Sequence, residues 1–382
     1  MPLIRNTSML ISTLFIILSC GTSEKATKEG IVDIDNFRAY PIDVDVKERS
    51  VFQFVESVKV LGLEETNESL LENLTDAIFL DNHIVFKNGR QEEIMVYSEG
   101  GKFLTKIKQQ GNGPEEYVSI RNLWVNDNLI QVYDGRHVIS FDLAGDFVSV
   151  LSLKNRVSHL HGNTNGFVAD VGRAPLDGDL RYNLEFLNEE LERDTLAIPY
   201  TKLKKTSIFW LSTPFSLYNK DVAYQHTNGD TLYKILSDGA APLLSVDFGE
   251  KWIWKDEAVY DNIQKQRMLR SENGAISMFF MRASQNFIYA DAIRSGKFLI
   301  NRATGDYQKI TFNKNGEGQF YPRYINWVNN ELAFSLSSAD IGEFLSQLDP
   351  AKVQYLADHT LETIETSENP VVIWIKFTSD LK

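Results

Sequence analysis

A strand pattern that recurs along the chain restricts its fold more than any other feature of the sequence. The alternating segment that begins at Ile94 ends in a Gly-Gly turn before Phe103. About 44 residues later, the segment that begins at Val138 ends in a glycine turn before Phe147. A period of about 40 to 50 residues, built from four short strands, is typical of a propeller blade. Such small sheets bury both faces only by stacking on their neighbours, so the pattern favours a ring.

The rest of the chain supplies enough strand-like runs for six such units. Runs recur in residues 158–199, 207–249 and 275–312. The last unit, residues 324–377, is one strand short. The segment 57–63 near the N-terminus can complete it, and closure by the other end of the chain would remove a free sheet edge.

These patterns predict an all-β fold: a six-bladed β-propeller of four-stranded blades over residues 42–382, with an N-terminal strand closing the last blade. Two stretches without strand alternation predict short helical insertions. Residues 254–271 place apolar side chains at roughly helical spacing. Residues 339–359 resemble two short helices, the second with Asp349 as N-cap and Pro350 at its first position.

The beginning of the chain is typical of a bacterial lipoprotein signal peptide. Arg5 gives a positive start, and residues 9–18 form an apolar run too short to span a bilayer as a helix. Residues 17–21 resemble the bacterial lipobox, which makes Cys20 the lipidation site. We expect residues 1–19 to be removed and Cys20 to carry several acyl chains, because a single chain anchors a protein only weakly. The alternative is a plain secreted protein whose cysteine happens to follow the apolar run.

Residues 20–41 are polar at first and predict a flexible tether between the anchor and the propeller. We therefore expect an extracytoplasmic protein, lipid-anchored to the cell envelope, with the outer membrane favoured. The residues after Cys20 carry no decisive sorting signal.

Cysteine content and charge exclude several classes of protein. Cys20 is the only cysteine, so the chain forms no intrachain disulfide and no zinc site of the multi-cysteine kind. The formal net charge of −13 disfavours nucleic-acid binding, because a phosphate backbone attracts a basic surface. We expect a monomer without a cofactor or metal ion, whose ligand is a glycan, a peptide or an envelope protein.

One loop carries a family resemblance. Gly111, Gly113, Pro114, Glu116 and Tyr117 fit the G-x-G-P-x-E-Y signature. That signature resembles one found after the first blade in bacterial, Bacteroidetes-type, six-bladed β-propeller lipoproteins, which are related to NHL-like and TolB-like propellers. The similarity covers about residues 40–380 and implies the same propeller fold.

The residue types of this loop also have a structural interpretation. Gly111 and Gly113 would allow positive φ, and Pro114 would fix the next turn. Tyr117 would pack its ring while its hydroxyl reaches a loop carbonyl. We favour this structural role over ligand contact, with Glu115 in place of the family's usual small residue.

The sequence supports no catalytic residue. It lacks the common local motifs for nucleophile elbows, phosphate loops, zinc helices and dinucleotide sites. His159 and His161 lie two residues apart, on one face of a strand, and could bind zinc or copper, but a polar strand with two partly solvated histidines is favoured. Residues 134–137 (Asp-Gly-Arg-His) indicate a hairpin turn with exposed side chains.

Two further groups of residues have a functional and a bland interpretation. The carboxylate pairs could bind calcium or act on glycosides, but chance pairs are expected in a chain with 52 acidic residues. The tryptophans could stack on a sugar, but packing between blades is the commoner role. The pairs are Asp43 with Asp45 and Asp177 with Asp179, and the tryptophans are Trp210, Trp252, Trp254 and Trp327.

Two functional classes remain. The first is a binding module, because loops from every blade of a propeller converge on one concave axis. The second is a hydrolase or lyase of the lactonase type with an axial metal ion held by one carboxylate or amide from each blade. We find no consistent acidic residue at that position of the repeat, which favours binding.

Overall fold

A computed structural model describes the backbone of residues 28–29 and residues 37–172, 180–202, 213–272, 275–314 and 318–382 in full. These residues form six separate β-sheets of four or five strands arranged in a ring, with few helices. The predicted all-β, six-bladed propeller is therefore confirmed.

Four strands precede the first complete blade: β1 (Lys28–Glu29), β2 (Arg38–Pro41), β3 (Arg49–Ser50) and β4 (Val55–Leu61). Blade 1 contains β5 (Leu74–Phe79), β6 (His83–Asn88), β7 (Ile94–Ser98) and β8 (Phe103–Ile107). Blade 2 contains β9 (Asn122–Asn126), β10 (Leu129–Tyr133), β11 (His137–Phe141) and β12 (Phe147–Ser152). Strands β7 and β11 are the two segments whose repetition indicated the fold.

Blade 3 contains β13 (His159–Asn163), β14 (Gly166–Asp170), β15 (Tyr182–Leu187) and β16 (Arg193–Pro199). Blade 4 contains β17 (Phe215–Tyr218), β18 (Asp221–Gln225), β19 (Thr231–Ile235) and β20 (Ala240–Asp247). Blade 5 contains β21 (Phe279–Ala283), β22 (Phe287–Ala292), β23 (Gly296–Asn301) and β24 (Tyr307–Thr311). Blade 6 contains β25 (Arg323–Val328), β26 (Glu331–Leu336), β27 (Val353–Tyr355) and β28 (Val371–Phe377).

The N-terminal strand β4 closes blade 6, as the sequence predicts. It pairs antiparallel with β28 and places Val60 opposite Ile373. Val58 and Val60 are completely buried in this sheet. The closure joins the two ends of the ring through backbone hydrogen bonds and an apolar core, so the ring has no free seam at blade 6.

The chain upstream of β4 runs along the outside of the ring. Strands β1, β2 and β3 pair in parallel with the outer strands β16, β20 and β24 of blades 3, 4 and 5. Strand β27 adds a parallel fifth strand to blade 6 by pairing with β4. Blades 3 to 6 are thus five-stranded instead of four-stranded, and Arg38–Pro41, which we expected to belong to a tether, form a paired strand.

The helical insertions are α1 (Ile263–Glu272), α2 (Ser338–Leu345) and α3 (Leu361–Glu365). Asp349 caps a single 3₁₀ turn, Pro350–Lys352, and β27 follows at once. The cap and the first position of the second helix predicted within residues 339–359 are therefore confirmed, but this helix is a single 3₁₀ turn, because β4 offers the residues after it a strand partner. Further 3₁₀ turns are Val51–Phe54, Gly249–Lys251, Ile253–Lys255 and Glu257–Val259. None of the helices in the described ranges is long and apolar enough to cross a membrane.

Strand direction divides the loops between two faces of the ring. Because neighbouring strands of a blade are antiparallel, the connections from an outer strand to the next blade emerge on the same face as the turns between second and third strands. We call this the inter-blade face. Apolar side chains fill the space between adjacent blades, as between β7 of blade 1 and β10 of blade 2.

Candidate functional site

The signature loop joins blade 1 to blade 2 on the inter-blade face. Tyr117 is completely buried, and its hydroxyl donates to the carbonyl oxygen of Glu92 at 2.7 Å and lies 3.2 Å from that of Ile107. Burial raises the pKa of Tyr117, so the hydroxyl keeps its proton. The backbone N–H of Gly111 donates to the Tyr117 carbonyl at 3.0 Å. These contacts fix the path of the loop.

The two motif glycines are required by space and not by backbone conformation. Neither Gly111 nor Gly113 has a positive φ, so that part of the expectation is wrong. A Cβ atom on Gly111 would lie 1.8 Å from Oε2 of Glu116, and one on Gly113 would lie 3.0 Å from it. The Glu116 carboxylate accepts a hydrogen bond from the backbone N–H of Gly113 at 2.7 Å. The glycines therefore make room for a carboxylate that folds back onto its own loop.

A groove of about 730 Å³ opens beside Pro114 of this loop. Its other walls are the turn between β10 and β11, the end of β12 and the connection from β12 to blade 3. The lining residues include Gly113, Glu116, Val118, Arg121, Asp134, Arg136, His137, Val150, Ser152 and Arg156. The signature loop and the residues 134–137, which the sequence suggested separately, are thus neighbours.

Three arginines dominate the chemistry of this groove. The side chains of Arg121, Arg136 and Arg156 are exposed, and none forms an ion pair with a carboxylate among the described residues. A guanidinium carries a permanent charge and a planar set of donors that matches a carboxylate, sulfate or phosphate group. The groove is therefore suited to an anionic group, although the protein as a whole is acidic.

The acidic groups of the groove are occupied by internal contacts. Oδ1 of Asp134 accepts the backbone N–H groups of Arg136 and His137 at 2.8 and 2.7 Å, and Oδ2 lies 3.2 Å from Nδ1 of His137. Burial alone would raise the pKa of Asp134, but these hydrogen bonds outweigh it and lower the pKa. Gly135, at φ +105°, completes the turn and leaves room for the Arg121 guanidinium. The arginines are thus cationic side chains of the described groove lining without a carboxylate partner.

A second polar cluster lies where the inner strands meet at the axis. Asp76 on β5 has a φ of +53° and lies within a β-bulge between Thr75 and Ile78. Its side chain is accessible to water but enclosed by protein, and this enclosure raises the pKa of the carboxyl group. A bulge often redirects a side chain at the rim of a site, and here it accompanies an aspartate in a strained conformation.

The groups that influence Asp76 come from its own blade and from blades 5 and 3. The charges of Lys87, Arg282 and His159 act to lower the pKa of the Asp76 carboxyl group, against the effect of burial. Arg282 is buried and donates to the carbonyl of Met281 at 2.9 Å. The axial cluster therefore contains a guanidinium whose charge acts on its carboxylate, which opposes binding of a cation there.

The predicted histidine pair does not form a metal site in the described part of the chain. His161 is enclosed, stacks on Trp124 and has its pKa lowered by burial to about 4. Nδ1 of His159 lies 3.9 Å from a carboxylate oxygen of Asp170. Among the residues that the structure describes, no group of three or more His, Cys, Asp or Glu side chains could hold a metal ion. The axial metal of the lactonase alternative thus finds no support.

The other suggested residues have local roles or lie outside the described ranges. Oδ1 of Asp43 accepts the backbone N–H of Asp45 at 2.9 Å, which is a simple turn. Trp252, Trp254 and Trp327 are buried in the apolar interior and offer no ring to a sugar. Residues outside the description are Cys20, Asp177, Asp179 and Trp210.

Sequence reasoning missed most of the basic groove and the axial cluster. Arg121 precedes the inner strand of blade 2, and Arg156 precedes the inner strand of blade 3. Arg136 lies in the turn between β10 and β11 of blade 2. A basic residue in each of three successive loops on one face was the available signal. For Asp76 and Arg282, no local signal exists, because about two hundred residues separate them and only ring closure brings them together.

Comparisons with known proteins agree with this fold. A family model described as "Domain of unknown function (DUF4934)" matches residues 39–376. No curated protein matches the chain. The chain is similar to the crystal structure of a Bacteroides fragilis protein named for its expected export, with a TM-score of 0.67 and 14% identity over 90% of this chain and 99% of that one. It is also similar to a member of the DUF4221 family from Bacteroides vulgatus, with a TM-score of 0.45 and 12% identity over 85% and 97% of the two chains.

Proposed function

The chain belongs to the DUF4934 family, and on that premise we propose that it is an extracytoplasmic lipoprotein whose propeller binds a ligand or partner protein through its inter-blade face. The observation that carries this proposal is the groove lined by Arg121, Arg136 and Arg156, whose guanidinium groups have no carboxylate partner among the described residues. Three unpaired cations that line one groove favour a ligand with acidic groups.

The anchoring part of the proposal rests on the lipobox-like sequence around Cys20 and on the apolar run that precedes it. We include in it a position at the cell envelope, with the outer membrane favoured, and a relationship to NHL-like or TolB-like propellers. The name of the Bacteroides fragilis protein of similar fold agrees with export.

Binding of a defined anionic polymer tests the groove. We expect poly-glutamate to bind the mature protein at low ionic strength, and each replacement Arg121→Ala, Arg136→Ala or Arg156→Ala to weaken binding about tenfold. The matched control is Arg90→Ala, because Arg90 is exposed in the corresponding turn of blade 1 and lies outside the groove. An affinity that Arg90→Ala lowers as strongly as the groove replacements would refute the site.

Membrane fractionation tests the anchor. Cys20→Ala should leave the precursor unprocessed or release the protein from the membrane fraction, whereas Ser19→Ala, at a position where small residues are accepted, should fractionate as the wild type. Unchanged processing and fractionation of Cys20→Ala would refute lipidation.

A further inference from the structure

The outer edge of blade 2 differs from the outer edges of blades 3 to 6. Each of those four blades carries an additional strand, and all four additional strands run parallel to the strand that they cover. In the described part of the chain, no strand pairs with the outer side of β12. The fold therefore accepts a fifth parallel strand at this position, and the residues that the structure describes leave it open at blade 2.

The exposed edge of β12 has few features that discourage pairing. The strand reads Phe-Val-Ser-Val-Leu-Ser, without a charge or a proline. The exposed fractions of Val148, Val150 and Leu151 are 47%, 40% and 37%. Natural proteins usually protect such an edge with charged residues, proline or a covering segment. Strand β8 of blade 1, the other open edge, carries Lys106 near its centre.

The ladder phase shows which backbone groups face outward. The N–H of Leu153 donates to the carbonyl of Arg136 at 2.8 Å, which makes these two residues a hydrogen-bonded pair. Hydrogen-bonded and non-hydrogen-bonded pairs alternate along an antiparallel ladder. Val150 lies opposite Ile139 in a non-hydrogen-bonded pair, so its N–H and C=O point to the open edge. An incoming strand would find donors and acceptors there.

The open edge leads directly into the basic groove. Val150 and Ser152 belong to β12 and also line the groove, and Arg156 follows four residues after the strand ends. A strand added in parallel to β12 runs toward Ser152. Residues that follow such a strand would therefore enter the groove with its three arginines.

We propose that blade 2 binds an extended segment of a partner protein as a fifth strand along β12, with acidic residues C-terminal to that segment held by Arg121, Arg136 and Arg156. This inference rests on the proposed binding function of the groove and specifies its partner. The backbone of β12 supplies affinity, the exposed valines favour alternating apolar residues, and the arginines select the acidic end.

Synthetic peptides test the proposal with the mature protein. The probe contains about six alternating Val and Thr residues followed by about four Glu residues, close to the length of a typical strand plus the groove. The first control reverses the order, so that the Glu residues come first. The second control is N-methylated at every other strand residue on the edge that would face β12, which removes the donors but keeps the charge.

We expect the probe to bind at least tenfold more tightly than either control, and Val150→Pro, which removes an outward-facing N–H of β12, to weaken probe binding. Equal binding of the probe and the N-methylated peptide would overturn the added strand but leave an anion-binding groove. If the wild-type protein does not bind poly-glutamate, the proposed anion-binding function of the groove is refuted instead. Circular dichroism and urea denaturation establish that Val150→Pro remains folded.

Two other occupants of the edge would overturn the proposal by distinct results. A dimer in sedimentation experiments that Val150→Pro converts to a monomer would assign the edge to a second copy of the chain. Probe binding that requires removal of residues 20–27 would assign the edge to the N-terminal segment of the same chain.

Discussion

Two sides of the ring, one of four blades and one of two, are held together in different ways. Blades 3 to 6, the covered side, each carry a fifth strand, and β4 ties blade 6 to the start of the chain. Blades 1 and 2, the open side, have four strands each. The covered side is thus secured by backbone pairing around its perimeter, whereas the described part of the chain gives the open side no such pairing.

The open side has a different fastening, which gives the signature loop its physical meaning. The loop joins blade 1 to blade 2, and it buries the ring and hydroxyl of Tyr117 between them. The Glu116 carboxylate holds the backbone of the same loop. The comparison indicates that side-chain contacts to the backbone do at this junction what added strands do elsewhere.

The same substitution on the two sides should have very different effects. Val58→Asp places a charge in the completely buried closure of blade 6 and should lower the free energy of unfolding by about 4 kcal/mol or more, enough to unfold many domains. Val150→Asp on the open edge should change it by about 0.5 kcal/mol or less. Urea denaturation measures both, and similar losses would show that the edge of β12 is covered.

The free energy of unfolding should depend on pH through the seam between the two sides, where blade 3 packs on blade 2. His161 of blade 3 stacks on Trp124 of blade 2, and burial lowers its pKa to about 4. Between the ordinary pKa of about 6.5 and this value, the unfolded chain binds a proton that the folded chain does not. Stability therefore falls as the pH falls from 6.5 to 4, by about 2 to 3 kcal/mol from this group.

His161→Phe should remove this contribution while keeping an aromatic ring at the seam. We expect a flatter dependence of unfolding free energy on pH between 4 and 6.5 for the variant, measured by denaturation at several pH values. Parallel curves for the two proteins would show that folding does not lower the pKa of His161.

Two tyrosines compare the fastenings directly. Tyr117→Phe removes a donor from the buried carbonyl of Glu92 on the open side and should cost about 1 to 2 kcal/mol. Tyr40→Phe, on β2 of the covered side, removes a 3.0 Å hydrogen bond to the carbonyl of Arg302 and should cost about 0.5 to 1 kcal/mol, because β2 keeps its backbone pairing. A larger loss for Tyr40→Phe would reverse the comparison.

The last prediction concerns the fit between Gly111 and Glu116 of the signature loop. Gly111→Ala should displace the Glu116 carboxylate and cost about 1 kcal/mol, through the lost hydrogen bond to Gly113. In the Glu116→Ala background the same change should cost much less, because the atom that it strikes is gone. A double-mutant cycle of unfolding free energies measures this coupling, and additive losses would contradict the packing explanation.

The sequence predicted what depends on long, regular patterns. The repeat at Ile94 and Val138 gave the blades, and the apolar segment around Val58 gave the closure, because both are buried strands with clear periodicity. Strands β1, β3 and β27 are only two or three residues long and carry no periodicity. Their positions depend on which edge is within reach, and that is a property of the assembled ring.

The candidate site was predictable only in part, for a related reason. The turn at Asp134 and the packing of Tyr117 follow from local residue types. The need for glycine at position 111 was not predictable in this way, because it comes from the side chain of Glu116, five residues away, which folds back onto the loop. Interactions between distant strands, such as the effect of the Arg282 charge on the pKa of Asp76, require the closed ring before they exist.

The parallel strands along the outside of the ring give the molecule an order of mechanical failure. A steady pull on the N-terminal end of the chain loads β1 first, then β2 and β3, and reaches β4 only after these have detached. The short strands would therefore detach one at a time, and each detachment would lengthen the chain and lower the force for a time. The closure of the ring, with its buried valines, would feel the full force last.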